Sequence, residues 1–278
     1  MTALDLEAEY YNRRRVPEHP DIQSRWKAAT EAWLKDGKVE PDLVYGKGER
    51  NRYDLYRAAS GGTNAAIVVY IHGGYWQRGD RKDNGFVAKQ LNLRGVSVAL
   101  PSYSLCPAVG VIDIISELRQ CLAAIWQRTR QRLVVVGHSA GGHLAASMLA
   151  TDWSKVDGVP SDLVKAAYAI SGIFELSPLL PTSINEALKL DPAKAREASP
   201  LFWSPPPKGC TFVAAAGGDE SQEFFRQALE ITAAWSKAGV RAECVIVPQT
   251  NHFTVVEELA RPDSAMLQRI AAMSTAGV

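Results

Sequence analysis

Cysteine is scarce in this chain of 278 residues. Only four occur, and no two form the C-x-x-C pair that metal and redox motifs require. A disulfide scaffold needs a smaller chain with a higher density of cysteine. We therefore expect four reduced thiols in or near a core. They are Cys106, Cys121, Cys210 and Cys244.

Long apolar runs and an excess of one charge are also missing. The longest apolar run, Ala65 to Ile71, is far short of the roughly 20 residues that span a bilayer. The formal charge is +1, so no global field recruits nucleic acid or an anionic membrane. The segment from Met1 to Tyr10 is acidic, unlike a secretory signal. We expect a cytoplasmic protein that binds neither nucleic acid nor membrane. A homodimer is compatible with the sequence, which does not determine the oligomeric state.

Strand-like and helix-like segments alternate along most of the chain. Short runs rich in Val, Ile and Ala, apolar on both faces, are typical of a buried parallel sheet. This alternation predicts one α/β domain over residues 1–278, with a mostly parallel, doubly wound sheet and helices on both faces. The expected strands are Val44 and its neighbours, Tyr53–Arg57, Ala65–Ile71, Val96–Leu100, Leu133–Val136, Ala166–Ser171, Phe212–Ala216 and Ala242–Val247. The expected helices are Asn84–Arg94, Ile112–Arg130, Ala140–Ala150, Phe224–Ala238 and Val255–Met273.

Three segments lie outside this alternation. Residues 1–40 have helical spacing and predict a helical N-terminal arm that lies on the body of the domain. Ser60 to Asn64 reads as a linker before the first core strand. Residues 172–207 form a proline-rich insertion between two buried strands. Insertions of this length are often lids or binding loops, and a surface excursion without a role is the alternative.

A serine lies in the turn between a strand and a helix. Gly137-His138-Ser139-Ala140-Gly141 follows Leu133–Val136 directly and opens the helix Ala140–Ala150. This is the G-x-S-x-G pattern in its strand–turn–helix context, which holds a serine hydroxyl above the sheet edge. We therefore expect Ser139 to be a catalytic nucleophile.

A glycine-rich turn, His72-Gly73-Gly74-Tyr75-Trp76, ends the expected third strand. Backbone N–H groups in such a turn can stabilise the oxyanion of a tetrahedral intermediate. The expected donors are the amides of Gly74, Tyr75 and Ala140, with Gly73 shaping the turn.

Histidine is also rare, so the general base can be found by elimination. His19 lies in the N-terminal arm, and His72 belongs to the oxyanion turn. His138 precedes the serine and should point elsewhere, while His143 is too local to face it. His252 follows the last core strand, at the sheet edge where ligands bind in such folds, and completes the order serine, acid, histidine. We expect His252 to be the base.

The orienting acid should follow the strand that comes one before the last core strand. Phe212 to Ala216 is followed by two glycines, Asp219 and Glu220. An acid at this position holds the imidazole in the required tautomer. We favour Asp219 because it comes first after the glycines, with Glu220 as the alternative.

These motifs together resemble one known family. The chain is similar to the arylformamidase (kynurenine formamidase) group of the α/β-hydrolase superfamily, and to the hormone-sensitive-lipase-like esterases. The resemblance covers nearly the whole chain, and Tyr75 stands where the esterases usually have a third glycine. It rests on His72–Trp76, Gly137–Gly142, Gly218–Glu220, Asn251–Phe253, Tyr11–Arg13 and the stretch Leu180 to Leu190.

The motifs and the resemblance together imply a serine hydrolase that cleaves a formyl or acetyl amide or ester of a small aryl substrate, without a metal or organic cofactor. A short-chain carboxylesterase is the alternative, and a ligand-binding protein without turnover is a third hypothesis. Aromatic side chains near the motifs are expected to contact the aryl ring, although core packing is an alternative for each. They are Trp76, Tyr103, Phe174 and Phe253.

Overall fold

A computed structural model describes residues 4–60 and 65–275, and within these ranges eight strands form one sheet. The strands are β1 (Val39–Val44), β2 (Arg52–Tyr56), β3 (Ile67–Ile71), β4 (Ser97–Pro101), β5 (Leu133–His138), β6 (Val164–Ile170), β7 (Thr211–Gly217) and β8 (Arg241–Val247). Their order is β1-β2-β4-β3-β5-β6-β7-β8, and β2 runs antiparallel to β1 and β4, whereas β3 to β8 are parallel to one another. This is the α/β-hydrolase fold, as predicted.

Helices cover both faces of the sheet. They are α1 (Leu6–Tyr10), α2 (Asn12–Arg15), α3 (His19–Asp36), α4 (Ala88–Leu93), α5 (Val111–Thr129), α6 (Ala140–Leu149), α7 (Asn185–Leu188), α8 (Pro192–Glu197), α9 (Gln222–Lys237) and α10 (Ala265–Thr275). In the described ranges, none of the helices is both long and apolar enough to cross a membrane.

The central strand β3 explains why both faces are covered. Ile67, Val69 and Ile71 pack into one apolar cluster, with α5, α6 and α9. Val68 and Tyr70, which point the other way, pack into a second cluster with α3, α4 and α10. Successive side chains of a strand face opposite sides of the sheet, so a strand that is apolar throughout must be buried on both.

The C-terminal helix differs from its prediction. A single helix was expected over Val255–Met273, but a 3₁₀ helix spans Thr254–Ala260 and α10 begins only at Ala265. Pro262 lies in the break, where its missing N–H and fixed ring interrupt helical hydrogen bonding. Of the expected linker Ser60 to Asn64, residues 61–64 lie outside the described ranges.

Candidate active site

Ser139 lies in a strained turn between β5 and α6. Its backbone has φ 57° and ψ −119°, which a residue with a side chain rarely adopts. The turn needs its glycines, because a Cβ on Gly137 would lie 2.0 Å from the carbonyl oxygen of Gly141, and one on Gly141 would lie 2.0 Å from that of Ile71. This geometry holds the Ser139 side chain at the carboxyl edge of the sheet, beside the N-terminus of α6.

The glycine-rich turn after β3 packs directly against this serine. A Cβ on Gly73 would come within 3.0 Å of the Ser139 Cβ. Gly74 has φ +123°, and a Cβ on it would lie 2.2 Å from the Arg78 carbonyl oxygen. Tyr75 and Trp76 also have positive φ. In residues 4–60 and 65–275, the amides of Gly74 and Tyr75 donate to no protein acceptor. The amide of Ala140 begins α6, where it has no acceptor within the helix.

The acid that contacts His252 is Glu220, so the choice of Asp219 was wrong. His252 Nδ1 lies 2.7 Å from Glu220 Oε2, and both side chains are almost completely buried. Asp219 is exposed, and its backbone N–H donates to the Thr250 carbonyl oxygen. The reason is the turn that ends β7. The Glu220 N–H donates to the Gly217 carbonyl oxygen at 3.1 Å. This turn folds Glu220, the residue after Asp219, back over the end of the strand.

Two more donors hold the Glu220 carboxylate. Its Oε1 accepts the Gly217 N–H at 2.7 Å and the hydroxyl of Ser171, at the end of β6. Because a carboxylate in this arrangement accepts, His252 Nδ1 carries the proton and Nε2 keeps its lone pair. The ring is thus oriented as a general base requires.

Burial lowers the pKa of three other histidines, which are therefore neutral near pH 7. The pKa of His72 and that of His143 are each lowered to about 4. His143 accepts from Trp76 Nε1 and donates to the Ala198 carbonyl oxygen. The pKa of His138 is also lowered. We expected His138 to point away from the site, but its ring packs 4.8 Å from that of His252 and donates to the His252 carbonyl oxygen.

One cavity of about 490 Å³ joins these groups, a size typical of small-molecule sites. Its wall includes Ser139, His138, His252 and the Gly73–Tyr75 turn. The N-terminal arm supplies much of the remaining wall. Its lining residues are Arg13, Pro20, Gln23, Ser24, Trp26 and Lys27. Only Arg13 had a signal in the sequence, since the Tyr11–Arg13 motif carries part of the family resemblance.

Three of the four aromatic residues expected to contact substrate do not line this cavity. Trp76, Tyr103 and Phe174 are buried in the core, at 1% exposure or less. Trp76 packs on His143, Tyr103 stacks on His72, and Phe174 packs on Phe212. Phe253 does line the cavity. Core packing, the alternative given above, therefore applies to the other three.

The arm and the insertion differ in their relation to the cavity. The Tyr75 hydroxyl accepts from the Asn12 N–H at 2.9 Å and donates to the Tyr10 carbonyl oxygen at 3.0 Å, which ties the arm to the glycine-rich turn. The insertion, residues 172–207, packs apolar side chains such as Leu179 and Leu188 into the core. None of its residues lines the cavity. Its role as a lid stays a prediction.

No group of three or more His, Cys, Asp or Glu in the described part of the chain could hold a metal ion. The four cysteines are free thiols, three of them buried. The chemical groups at the cavity are therefore a serine, a histidine paired with a glutamate, and free backbone amides. This set on this fold defines an α/β-hydrolase.

Comparison with known proteins identifies the family. The BD-FAE family model matches residues 53–202. The chain is 33% identical to kynurenine formamidase from Danio rerio over 85% of this chain and 82% of that protein. The structure of a proposed thioesterase from Silicibacter sp. TM1040 is 31% identical, with a TM-score of 0.87 over 98% of this chain and 100% of that one.

A hormone-sensitive lipase from a metagenome library shares the fold, with a TM-score of 0.67 at 19% identity over 91% of this chain and 90% of that one. The chain belongs to the BD-FAE family of α/β-hydrolases, and it is a hydrolase similar to kynurenine formamidases and esterases. The resemblance inferred from the motifs is thus confirmed.

Proposed function

We propose that this hydrolase removes a formyl or acetyl group from a small aryl amide or ester through an acyl-enzyme on Ser139. One observation carries the proposal: Ser139, the free amides of the glycine-rich turn, and His252 held by Glu220 all meet at one cavity. The similarity to kynurenine formamidase over most of the chain supports an aryl formamide as substrate.

The arrangement suits a two-step acyl transfer. The Ser139 oxygen attacks the acyl carbonyl while His252 Nε2 takes the hydroxyl proton, and Glu220 stabilises the imidazolium that forms. His252 then returns the proton to the leaving amine or alcohol as its bond to the acyl carbon breaks. In the second step water attacks the acyl-enzyme with His252 again as base, which releases the acid and restores Ser139.

The amides of Gly74, Tyr75 and Ala140 are the proposed donors to the oxyanion. Each comes from a backbone segment held rigidly beside Ser139, so little reorganisation is needed as the charge develops. The partial positive charge at the N-terminus of α6 acts in the same direction.

The preference for a small acyl group follows from how closely the glycine-rich turn packs on the serine. A Cβ on Gly73 would come within 3.0 Å of the Ser139 Cβ, so the turn lies directly against the serine, and we expect that side of the site to accept a formyl or acetyl group better than a longer acyl chain. Forcing extra methylene groups into a tight site costs roughly 1–3 kcal/mol. This corresponds to a loss of about 5- to 150-fold in kcat/KM.

The test is a series of aryl esters from acetyl to octanoyl, run beside N-formyl-kynurenine. We expect the protein to cleave the formamide and the acetyl ester, with kcat/KM for the octanoyl ester lower by about 5- to 150-fold. Ser139→Ala should show no turnover. Faster cleavage of octanoyl than of acetyl would overturn the small acyl site. A fluorophosphonate adduct should form on Ser139, and its absence would favour a ligand-binding protein without turnover.

A short-chain ester or thioester hydrolase is the second candidate. The similarity to a proposed thioesterase across the full length of both chains favours it, and the same catalytic groups serve esters, thioesters and amides. Brisk cleavage of acetyl esters or acetyl thioesters with no detectable cleavage of the formamide would select this candidate.

A further inference from the structure

Positive charge predominates on the wall of the Ser139 cavity. Among residues 4–60 and 65–275, Arg13, Lys27 and Arg78 line it, against a single carboxylate, Asp83. Burial, and then the charge of Asp80, raises the pKa of Asp83, while Lys27 acts in the opposite direction. Lys27 is exposed and close enough to Asp83 to offset its charge. Two cations, Arg13 and Arg78, therefore remain in excess.

These two arginines are partly buried, yet neither guanidinium donates to an acceptor in residues 4–60 and 65–275. Burial lowers the pKa of Arg13, and the positive charge of Arg78 lowers it further, so the two groups are close together. Two other arginines show the usual arrangement, in which a carboxylate offsets the charge: buried Arg81 bonds to Asp54, and partly buried Arg226 bonds to Glu223. Two adjacent cations without a counter-ion are costly unless a ligand supplies the negative charge.

Both arginines are anchored to the turn that carries the proposed oxyanion donors. The Arg78 N–H donates to the Gly74 carbonyl oxygen at 3.1 Å. Arg13 follows Asn12, whose N–H donates to the Tyr75 hydroxyl. Hydrogen bonds thus fix the backbone from which each arginine side chain extends, and a selective site requires such support.

We propose that Arg13 and Arg78 form an anion subsite that binds a carboxylate of the substrate, remote from the bond that is cleaved. The inference rests on the proposed function and narrows it to aryl amides and esters that carry a carboxylate. The planar guanidinium matches a carboxylate in two-point hydrogen bonding, and the cavity has room for an aryl ring and a short acid side chain.

The test compares matched acetyl esters that differ only in charge. We would use 4-acetoxyphenyl alkanoic acids with one to three methylene groups before the carboxylate, each beside its neutral carboxamide. The readout is the ratio of kcat/KM for acid over amide, which a general loss of fold or catalysis does not change. Arg13→Gln and Arg78→Gln are the variants. Arg15→Gln is the control, because Arg15 is exposed on the same helix and does not line the cavity.

For at least one chain length, we expect the wild-type protein to favour the acid about tenfold or more, and each of the two variants to lower that ratio about tenfold. Arg15→Gln should keep the wild-type ratio. The subsite would be overturned if kcat/KM for the acid did not exceed that for its amide at any chain length. It would also be overturned if Arg15→Gln lowered the ratio as much as the other variants.

Binding separates failure of the subsite from failure of the proposed function. Calorimetry with the deacetylated acids and their carboxamides needs no turnover. Tighter binding of the acid that is lost in Arg13→Gln and Arg78→Gln supports the subsite, even if no ester or formamide is cleaved. Equal binding of acid and amide refutes it, even if hydrolysis is brisk.

Discussion

At Glu220, three donors converge on one buried carboxylate: the Gly217 amide, the Ser171 hydroxyl and the His252 ring. Each constrains the carboxylate from a different element, namely β7, the end of β6 and the loop after β8. A carboxylate held in this way orients the imidazole without side-chain motion of its own. The arrangement therefore depends on Glu220 and on the groups that hold it.

The acid can be identified by exchanging each carboxylate for its amide. Glu220→Gln should lower kcat on the order of 10⁴-fold, because the amide disturbs the tautomer of His252 that a base requires. Asp219→Asn should change kcat by no more than about twofold, since Asp219 is exposed. Steady-state kinetics on an aryl acetate measure both. If Asp219→Asn lost activity while Glu220→Gln kept it, Asp219 would be the acid that orients His252.

The Ser171 hydroxyl donates to Glu220, and we expect Ser171 to act as a positioning residue. Ser171→Ala should lower kcat about tenfold with KM little changed, because one of the donors that fix the carboxylate is lost. Ser274→Ala is the matched control, since Ser274 is buried and bonds only within α10. A rise in KM with kcat retained would show that Ser171 does not act through Glu220.

Among the elements, the N-terminal helices contribute most to the cavity beyond the catalytic motifs. Helix α1 is fastened to α9 by the Tyr10 hydroxyl, which donates to Glu223 at 2.6 Å. The start of α2 is fastened to the glycine-rich turn through Tyr75, whose ring also stacks on Tyr11. The arm is thus tied at both points to the body of the domain, and it forms part of the cavity wall.

Removing the Tyr75 hydroxyl should loosen the arm. Tyr75→Phe leaves the Asn12 N–H and the Tyr10 carbonyl oxygen without their buried partner, which costs about 1–3 kcal/mol of stability. We expect KM to rise and the amides of residues 6–15 to exchange hydrogen faster. Tyr11→Phe is the control, because the Tyr11 hydroxyl has no hydrogen bond to the described residues. Unchanged exchange in Tyr75→Phe would show that the arm is held by its apolar contacts alone.

Across the whole molecule, neutral histidines lie inside the core beside the carboxyl edge of the sheet. Their folded-state pKa lies below that of the unfolded chain, about 6.5. As the pH falls from 6.5 towards 4, the unfolded chain therefore binds more protons than the folded protein. The free energy of unfolding therefore keeps its full value above pH 6.5 and falls as the pH drops from 6.5 towards 4.

His143 gives a direct test of this pH dependence. From pH 7 to pH 5, His72 and His143 should each lower the free energy of unfolding by about 2 kcal/mol. His143→Gln should shrink the difference between the two pH values by that amount, as measured by urea unfolding. Ser147→Ala breaks a buried hydrogen bond to the His143 carbonyl oxygen without removing a titratable group, so it should keep the full difference. If His143→Gln kept the full difference in the free energy of unfolding between pH 7 and pH 5, His143 would not be a source of this pH dependence.

Local sequence determined the elements whose geometry depends on adjacent residues. The Val-rich run of β5 followed by Gly137–Gly141 indicates a strand, a sharp turn and a helix, because only glycine fits the close contacts of that turn. Apolar residues on both faces of β3 indicated a sheet covered on both sides. The doubly wound fold, the serine turn and the position of His252 after the last strand could therefore be predicted.

Tertiary structure decided which side chains meet, because contacts between distant segments are not encoded in spacing alone. The choice between Asp219 and Glu220 depended on how the turn after β7 bonds to Gly217 and to the loop that carries His252. Trp76 ends the glycine-rich turn in sequence, yet its ring lies in the core, where it packs on His143. Arg13 lines the cavity from α2, whose first residue, Asn12, donates to the hydroxyl of Tyr75, 63 residues away in the chain.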